Sequence, residues 1–391
     1  MNSRFLKSAL LSARVESNQR VTDVVQAVIQ DVRKNGDKAV RSYSERFEKW
    51  TPPSFKLTER QIQDCIAQVP AQTVQDIKTA QENVRKFAQA QRGSIRDIEV
   101  EIQPDFILGH KSNPINRVGA YIPGGRYPLL ASAHMTITTA KVAGVPQVIA
   151  CTPPLNGNLP NATVAAAHFA GADEIFILGG AQAIAAMAVG TETMKKVDFI
   201  AGPGNAFVAE AKRLLFGEIG IDLFAGPTET LIIADESADP SPPRQIFYPR
   251  PSTVPILPPC SSPALSPWAN KPSDMSIRYS KALDKMTNYG ALFLGEKTTV
   301  SFGDKCIGTN HVLPTRKAGN YTGGLWVGKF LKTQTYQEIL DEKASGEMGR
   351  LCARCSRAEN FEGHARSGDL RAHKYLGDDH DWVKEAKGDS V

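Results

Sequence analysis

The stretch Glu174–Asn205 constrains the rest of the chain more than any other. It reads EIFILGGAQAIAAMAVGTETMKKVDFIAGPGN. An apolar run at Ile175–Leu178 breaks at Gly179-Gly180. A small-residue helix over roughly Gln182–Val189 follows, and a second apolar run at Val197–Ile200 breaks at Gly202-Pro203-Gly204-Asn205. Strand, glycine break, helix, strand, glycine break is the rhythm of a parallel α/β sheet. At each break the backbone can approach a ligand closely, and the next helix opens with unpaired N–H groups that suit a phosphate. The glycines alone fit ordinary strand-to-helix turns as well, because no full dinucleotide fingerprint is present.

Upstream, the pattern is helical. Val24/Val25, Val28/Ile29 and Val32 recur at helix spacing up to a stop at Asn35-Gly36, and a second helix runs to about Phe47. Thr58-Glu59-Arg60-Gln61 has capping-box form and opens a third; Val74, Ile77, Val84 and Phe87 mark a fourth. These helices carry no candidate chemistry and read as scaffold or dimer surface. Ile98–Leu108 alternates as one strand and Val118–Tyr121 as another. Beyond it, helices near Ala131–Ala143, Thr163–Ala170 and Ala206–Phe216 interleave with strands at Gln147–Cys151 and Thr230–Ala234. That succession predicts a doubly wound, Rossmann-like domain at 121–229, whose ligands bind beyond the carboxyl ends of the strands. Tyr121, Gln182 and Asn205 all fall there.

Composition narrows the class. The 391 residues are 41% hydrophobic and 22% charged, ordinary for a soluble chain of more than one domain. A net charge of +5 with no basic block argues against a nucleic-acid partner, and no apolar run approaches membrane-spanning length. Cytoplasmic localisation is the expectation; the basic start MNSRFLKSALLSAR leaves room for a weak organelle presequence. Cys352-Ala353-Arg354-Cys355 has redox or zinc spacing, but no second pair accompanies it, so both thiols are expected on one face of a C-terminal helix.

The wording of the central stretch says more than its glycines. GGAQAIAAMAVGTETMKKVDFIAGPGNAFVAEAKR closely resembles the histidinol dehydrogenase family, as do VGAYIPGG at Val118–Gly125, DLFAGPTETLIIAD at Asp222–Asp235 and GTNHVLPT at Gly308–Thr315. The resemblance implies oxidation of L-histidinol to L-histidine through the aldehyde, with NAD and zinc, in a homodimer acting on a small amino alcohol. It implies NAD contacts at Tyr121, Gln182 and Asn205, substrate contacts at Thr228 and Glu359, and zinc ligands at Asp304 and His364. Zinc accepts imidazole and carboxylate ligands and can polarise an alcohol beside a hydride acceptor, so the assignment is chemically coherent. Taken alone, Asp304 is a turn aspartate and His364 a surface helix residue. His311 takes no metal role from the resemblance. Arg126-Tyr127-Pro128 resembles family relatives that oxidise other small polar alcohols such as sulfopropanediol, since an arginine there suits an anionic substrate. A catalytically inactive paralogue is the third alternative.

After Asp239 the resemblance fails and resumes near Asn288. The family continues with a helix of the form DLLSQAEHGPDSPAVL, whose glutamine and histidine complete the zinc shell. Here the chain reads SPPRQIFYPRPSTVPILPPCSSPALSPW, too rich in proline for a helix. Gln245–Ser261 can be written with codons that, read from the third base of the first, spell DLLSQAEHGPDSPAVL. The segment is therefore a frame-shifted or mis-spliced translation. The family's catalytic Glu-His pair also has no counterpart, because no Glu-His dipeptide occurs in the chain. No catalytic residue is assigned, and the polypeptide as it stands is expected to bind zinc poorly.

The expected architecture is α/β, with the Rossmann-like domain at 121–229 inserted in a second α/β domain and helical segments at both ends. Residues 1–120 hold the N-terminal helices and the start of the catalytic domain. Residues 230–318 hold its remainder, aberrant at 240–287, and 319–391 form a C-terminal dimerisation and metal-ligand segment.

Overall fold

A computed structural model describes residues 12–124, 128–223, 283–295, 297–315 and 318–383. The strand expected at Thr230–Ala234, the substrate position Thr228, Arg126-Tyr127 and most of the proline-rich segment lie outside the described residues. The chain divides into two compact units, residues 1–94 with 114–331 and residues 95–113 with 332–391. Mixed α/β structure with a parallel sheet is what the sequence predicts.

In the first unit, helix α1 (Ser12–Glu48) bends at Gly36, whose backbone is non-helical at φ 50. The expected stop at Asn35-Gly36 is thus a kink between two helical arms. The carboxylate of Glu192 lies where a Cβ on Gly36 would go and accepts the Asp37 N–H at 2.8 Å. Thr58 caps α2 (Glu59–Ala67) with the capping box its sequence predicts: its hydroxyl accepts the Gln61 N–H and the Gln61 side chain accepts the Thr58 N–H. Helix α3 (Ala71–Gly93) buries Ile77, Ala80, Val84 and Ala88 at the spacing expected of one apolar face.

Strand β3 (Arg117–Tyr121) is buried throughout and forms the centre of a five-stranded parallel sheet. The other strands are β4 (Gln147–Thr152), β5 (Glu174–Ile177), β6 (Phe199–Ala201) and β7 (Gly220–Ile221), in the order β5-β4-β3-β6-β7. The order reverses between β3 and β6, and at such a switch point a crevice opens beyond the carboxyl ends of the strands. The crossovers are a helix of three segments, α4 (Leu130–Ala133), a π turn (His134–Thr138) and α5 (Thr139–Val142), then α6 (Asn161–Ala170), α7 (Gly180–Val189) and α8 (Ala206–Leu215). Residues 55–57 pair with the outer edge of β5, with Leu57 N donating to Ile175 O and Ile177 N to Phe55 O, so that edge is covered.

The core of this unit joins the Val25, Val28 and Val32 face of α1 to Met187 on α7, Ile200 on β6 and Leu215 on α8. Alanines at 183, 185, 186 and 188 let α1 pack closely on α7, which is why a small-residue helix stands there. Helix α9 (Val300–Lys305) follows later in the same unit.

In the second unit, β1 (Ile98–Gln103) pairs antiparallel with β2 (Phe106–Pro114), and β8 (Leu331–Ile339) lies beside β2. The single strand expected over Ile98–Leu108 is therefore a hairpin. Pro104 cannot donate to a ladder and Asp105 takes a left-handed φ of 71, and together they turn the chain. Helices α10 (Glu342–Ala358) and α11 (Glu362–Leu376) pack as a hairpin whose backbones touch at Gly349 and Gly368, where either glycine's Cβ would strike the other's carbonyl. Among the described residues no helix is long and apolar enough to cross a membrane.

Candidate functional site

The carboxyl ends of the parallel strands gather Tyr121 and the two glycine turns. Tyr121 ends β3, is 4% exposed, and its hydroxyl accepts the Gly180 N–H at 3.1 Å. That bond fixes the first N–H of α7. Burial pushes the Tyr121 phenol well above its ordinary value, so it stays neutral. Gly180, at φ 66, takes a backbone conformation that suits glycine.

Gln182 lies in the first turn of α7, is 1% exposed, and its amide stands beside the Glu48 carboxyl, outside close hydrogen-bond range. Tyr121 and Gln182 both belong to the Gly179-Gly180 turn, Tyr121 through its bond to Gly180 and Gln182 as part of the helix that starts there.

The second turn is held from beneath. Lys212 of α8 donates to Gly202 O at 3.0 Å and pairs with Asp222, whose Oδ2 accepts the Gly202 N–H at 2.7 Å. The turn also requires glycine, because Gly202 has φ 121 and its Cβ would collide with the Tyr121 carbonyl. Asn205 caps α8, its Oδ1 accepting from Phe207 N at 3.0 Å and Val208 N at 3.1 Å. Its side-chain oxygen is thereby committed to the helix, and the amide nitrogen is the part able to meet a ligand.

One contributor has no signature in the sequence. The N-terminal helices read there as scaffold, yet α1 ends by delivering Glu48 to the mouth of α7. Its Oε2 accepts the Gly179 N–H at 3.3 Å and the Ser44 hydroxyl at 3.4 Å. Burial raises the Glu48 carboxyl above its usual range, while the Gly179 N–H, the Gln182 amide and Ser44 pull it back. Glu48 lies 131 residues before Gly179, and nothing local in its sequence marks the meeting.

The implied metal positions fall one in each unit. Asp304 is half-buried on α9 in the first unit; the neighbouring Gly303 and Ile307 line an open cleft of about 650 Å³ with Phe87 and Trp326. His364 and Glu359 are exposed at the α10–α11 turn of the second unit, His364 with its ring edge-on to Phe361 at 5.5 Å. Among the described residues no three His, Cys, Asp or Glu side chains gather as metal ligands. Cys352 and Cys355 sit on α10 as expected.

The GTNH segment serves as an anchor. Asn310 Nδ2 donates to Met135 O at 2.9 Å and Asn83 Nδ2 to Cys306 O at 2.9 Å. His311 Nε2 lies 3.4 Å from the Ser132 hydroxyl. Nearby, burial lowers His134 to about 4, and Gln81 Nε2 donates to its Nδ1 at 3.1 Å. A neutral, satisfied imidazole of this kind is a packing residue.

Comparison with known proteins agrees with this geometry. The sequence profile of the family described as histidinol dehydrogenase matches residues 11–242 and 272–372, interrupted where the proline-rich segment stands. A histidinol dehydrogenase homolog of Shouchella clausii is 49% identical, over 92% of this chain and 96% of its own length. Sulfopropanediol 3-dehydrogenase of Ruegeria pomeroyi is 38% identical over 97% of this chain and 98% of its own. The crystal structure of histidinol dehydrogenase from Elizabethkingia anophelis superimposes with a TM-score of 0.78 at 26% identity, over 96% of this chain and 95% of that one. The chain belongs to the histidinol dehydrogenase family of oxidoreductases.

Proposed function

We propose that this chain is a family member that keeps its Rossmann-like dinucleotide site and has lost the half that carries out proton transfer and metal binding. The gathering of Tyr121, Gln182 and Asn205 at the two glycine turns, beyond the carboxyl ends of the parallel strands, is the observation that supports this reading. NAD fits there: Tyr121 and Gln182 supply hydrogen-bond donors, Asn205 an amide, and the glycines let the backbone come close. Bound NAD supplies the hydride acceptor for oxidation of an alcohol to an aldehyde and then to an acid, L-histidinol being the family substrate. The protein's part is to hold the nicotinamide cofactor, keep water from it, and pass the alcohol proton to a base. That base is the family's Glu-His pair, and this sequence does not contain it.

Zinc assistance does not fit the described residues. Among the described residues neither Asp304 nor His364 stands in a group of three His, Cys, Asp or Glu side chains. Thr228 and Glu359 remain the substrate positions implied by resemblance, and homodimer assembly accompanies them as part of the same proposal.

A second reading for the intact counterpart has specific support: the similarity to sulfopropanediol 3-dehydrogenase spans nearly the whole chain, and Arg126 suits an anionic alcohol. The experiment follows NADH formation with L-histidinol and with sulfopropanediol, first with this chain and then with DLLSQAEHGPDSPAVL and the missing Glu-His region restored. No turnover before restoration and turnover after it supports the proposal; the better substrate decides between the readings. Histidinol-dependent NADH formation by the chain as it stands contradicts it, and silence after restoration identifies an inactive paralogue. Genomic DNA across codons 240–290 should show DLLSQAEHGPDSPAVL in an alternative frame; an uninterrupted verified frame that cannot encode it refutes the frame-shift origin.

A further inference from the structure

The cysteines of this chain differ in their surroundings. Cys65 and Cys151 are buried, and burial pushes both thiols above their ordinary range, so neither is a ready nucleophile. Cys306 is exposed and has no second cysteine near it in the sequence; Cys260 lies outside the described residues. Cys352 and Cys355 stand together on α10, three residues apart, the first half-buried and the second exposed. Among the described residues no group of three His, Cys, Asp or Glu side chains forms, so the two sulfurs make a dithiol and not part of a zinc shell.

Helix geometry puts Cα atoms three residues apart about 5 Å from one another, inside the range of roughly 4.4–6.8 Å that a disulfide spans. Their Cβ atoms stand about 5–6 Å apart, and a disulfide needs about 4 Å. Closure therefore has to tighten one turn of α10. A bond made under such strain is readily reduced again, which marks a reversible disulfide and not a structural one. The same turn packs on the neighbouring helix. Cys352 flanks the buried stripe of Gly349, Ala353 and Ser356, and its Cβ lies 3.3 Å from where a Cβ on Gly368 of α11 would stand. Its Sγ donates to His364 O at 3.9 Å.

We propose that Cys352 and Cys355 are an oxidisable pair: a low-molecular-weight disulfide such as oxidised glutathione closes them into a disulfide across one turn of α10, and closure draws Cys352 away from α11. Cys355 is the accessible sulfur. As thiolate it attacks one sulfur of the reagent, which releases the first small thiol and leaves a mixed disulfide on Cys355. Cys352 then gives up its proton and attacks the Cys355 sulfur, releasing the second. The two cysteines lose two electrons, and the reagent disulfide takes them up as two thiols. No bound dinucleotide is needed.

The test equilibrates the folded full chain with glutathione buffers of rising oxidised fraction, blocks the free thiols with iodoacetamide and digests the denatured product with trypsin. Trypsin cuts after Arg350, Arg354 and Arg357, so the two cysteines part into LCAR and CSR and stay joined only through a disulfide. Mass spectrometry should find the joined LCAR–CSR pair, and excess reduced glutathione should abolish it. Cys352→Ser should lose the pair and hold glutathione on CSR; Cys355→Ser should lose it and leave LCAR less modified. Hydrogen exchange over residues 352–364 should be faster in the oxidised chain than in the reduced one, with that difference lost in Cys352→Ser. No joined pair in the unaltered chain, whether or not Cys306 takes up glutathione, overturns the proposal without recourse to a variant. A joined pair that leaves exchange over 352–364 unchanged overturns the coupling of Cys352 to α11.

Discussion

Lys212 and Asp222 form an ion pair that water does not reach, with side chains 2% and 0% exposed, and both also bind the backbone of Gly202. A buried pair of this kind adds little net stability over an apolar pair, but removing one partner leaves the other charge stranded. Lys212→Met should therefore destabilise the first unit by about 3–5 kcal/mol. The Lys212→Met/Asp222→Leu double variant should recover part of that loss. Denaturant midpoints of the three proteins measure it; additive losses would show that the pair is not coupled.

Tyr121 tests the other glycine turn. Tyr121→Phe leaves the Gly180 N–H without its acceptor and should cost about 1–3 kcal/mol of stability. It should also weaken NAD, because the phenolic donor goes with it. Unfolding curves and NAD titration of the same preparation check both effects; unchanged NAD affinity would remove Tyr121 from the site.

The second unit has its own pH dependence. Arg357 holds the Asp369 carboxyl below its ordinary range, with help from the Trp382 indole N–H at 3.0 Å. A depressed carboxyl contributes stability that is fully present above the unfolded carboxylate value, near pH 4, and is lost as pH falls through its lower folded value. The α10–α11 hairpin should therefore loosen below about pH 4. Asp369→Asn should be less stable at pH 7 and show a shallower loss in acid. Trp382 fluorescence reports this locally; the same acid profile in both proteins would count against it.

Much of this architecture is legible because its signals are local. The capping box at Thr58, the break at Gly36, and the alternation of apolar runs with glycine turns from Tyr121 to Asn205 each depend on residues within a few positions of one another. The hairpin at Pro104-Asp105 is hidden because its two strands share one continuous alternation, and only the turn residues divide it. Lys212 looks like any helix-surface lysine in the sequence; its burial depends on Asp222, which arrives only after β7. Glu48 is hidden for a similar reason, since its chemistry arises from a contact across the fold.

The central claim is that the dinucleotide site survives in this chain, and calorimetric titration of the full chain with NAD, alongside Gln182→Ala, tests it most directly. Saturable binding at one NAD per chain, weakened by about tenfold or more in Gln182→Ala, is the predicted result. An unaltered chain that does not bind NAD, or a Gln182→Ala protein that binds it equally well, would contradict the account.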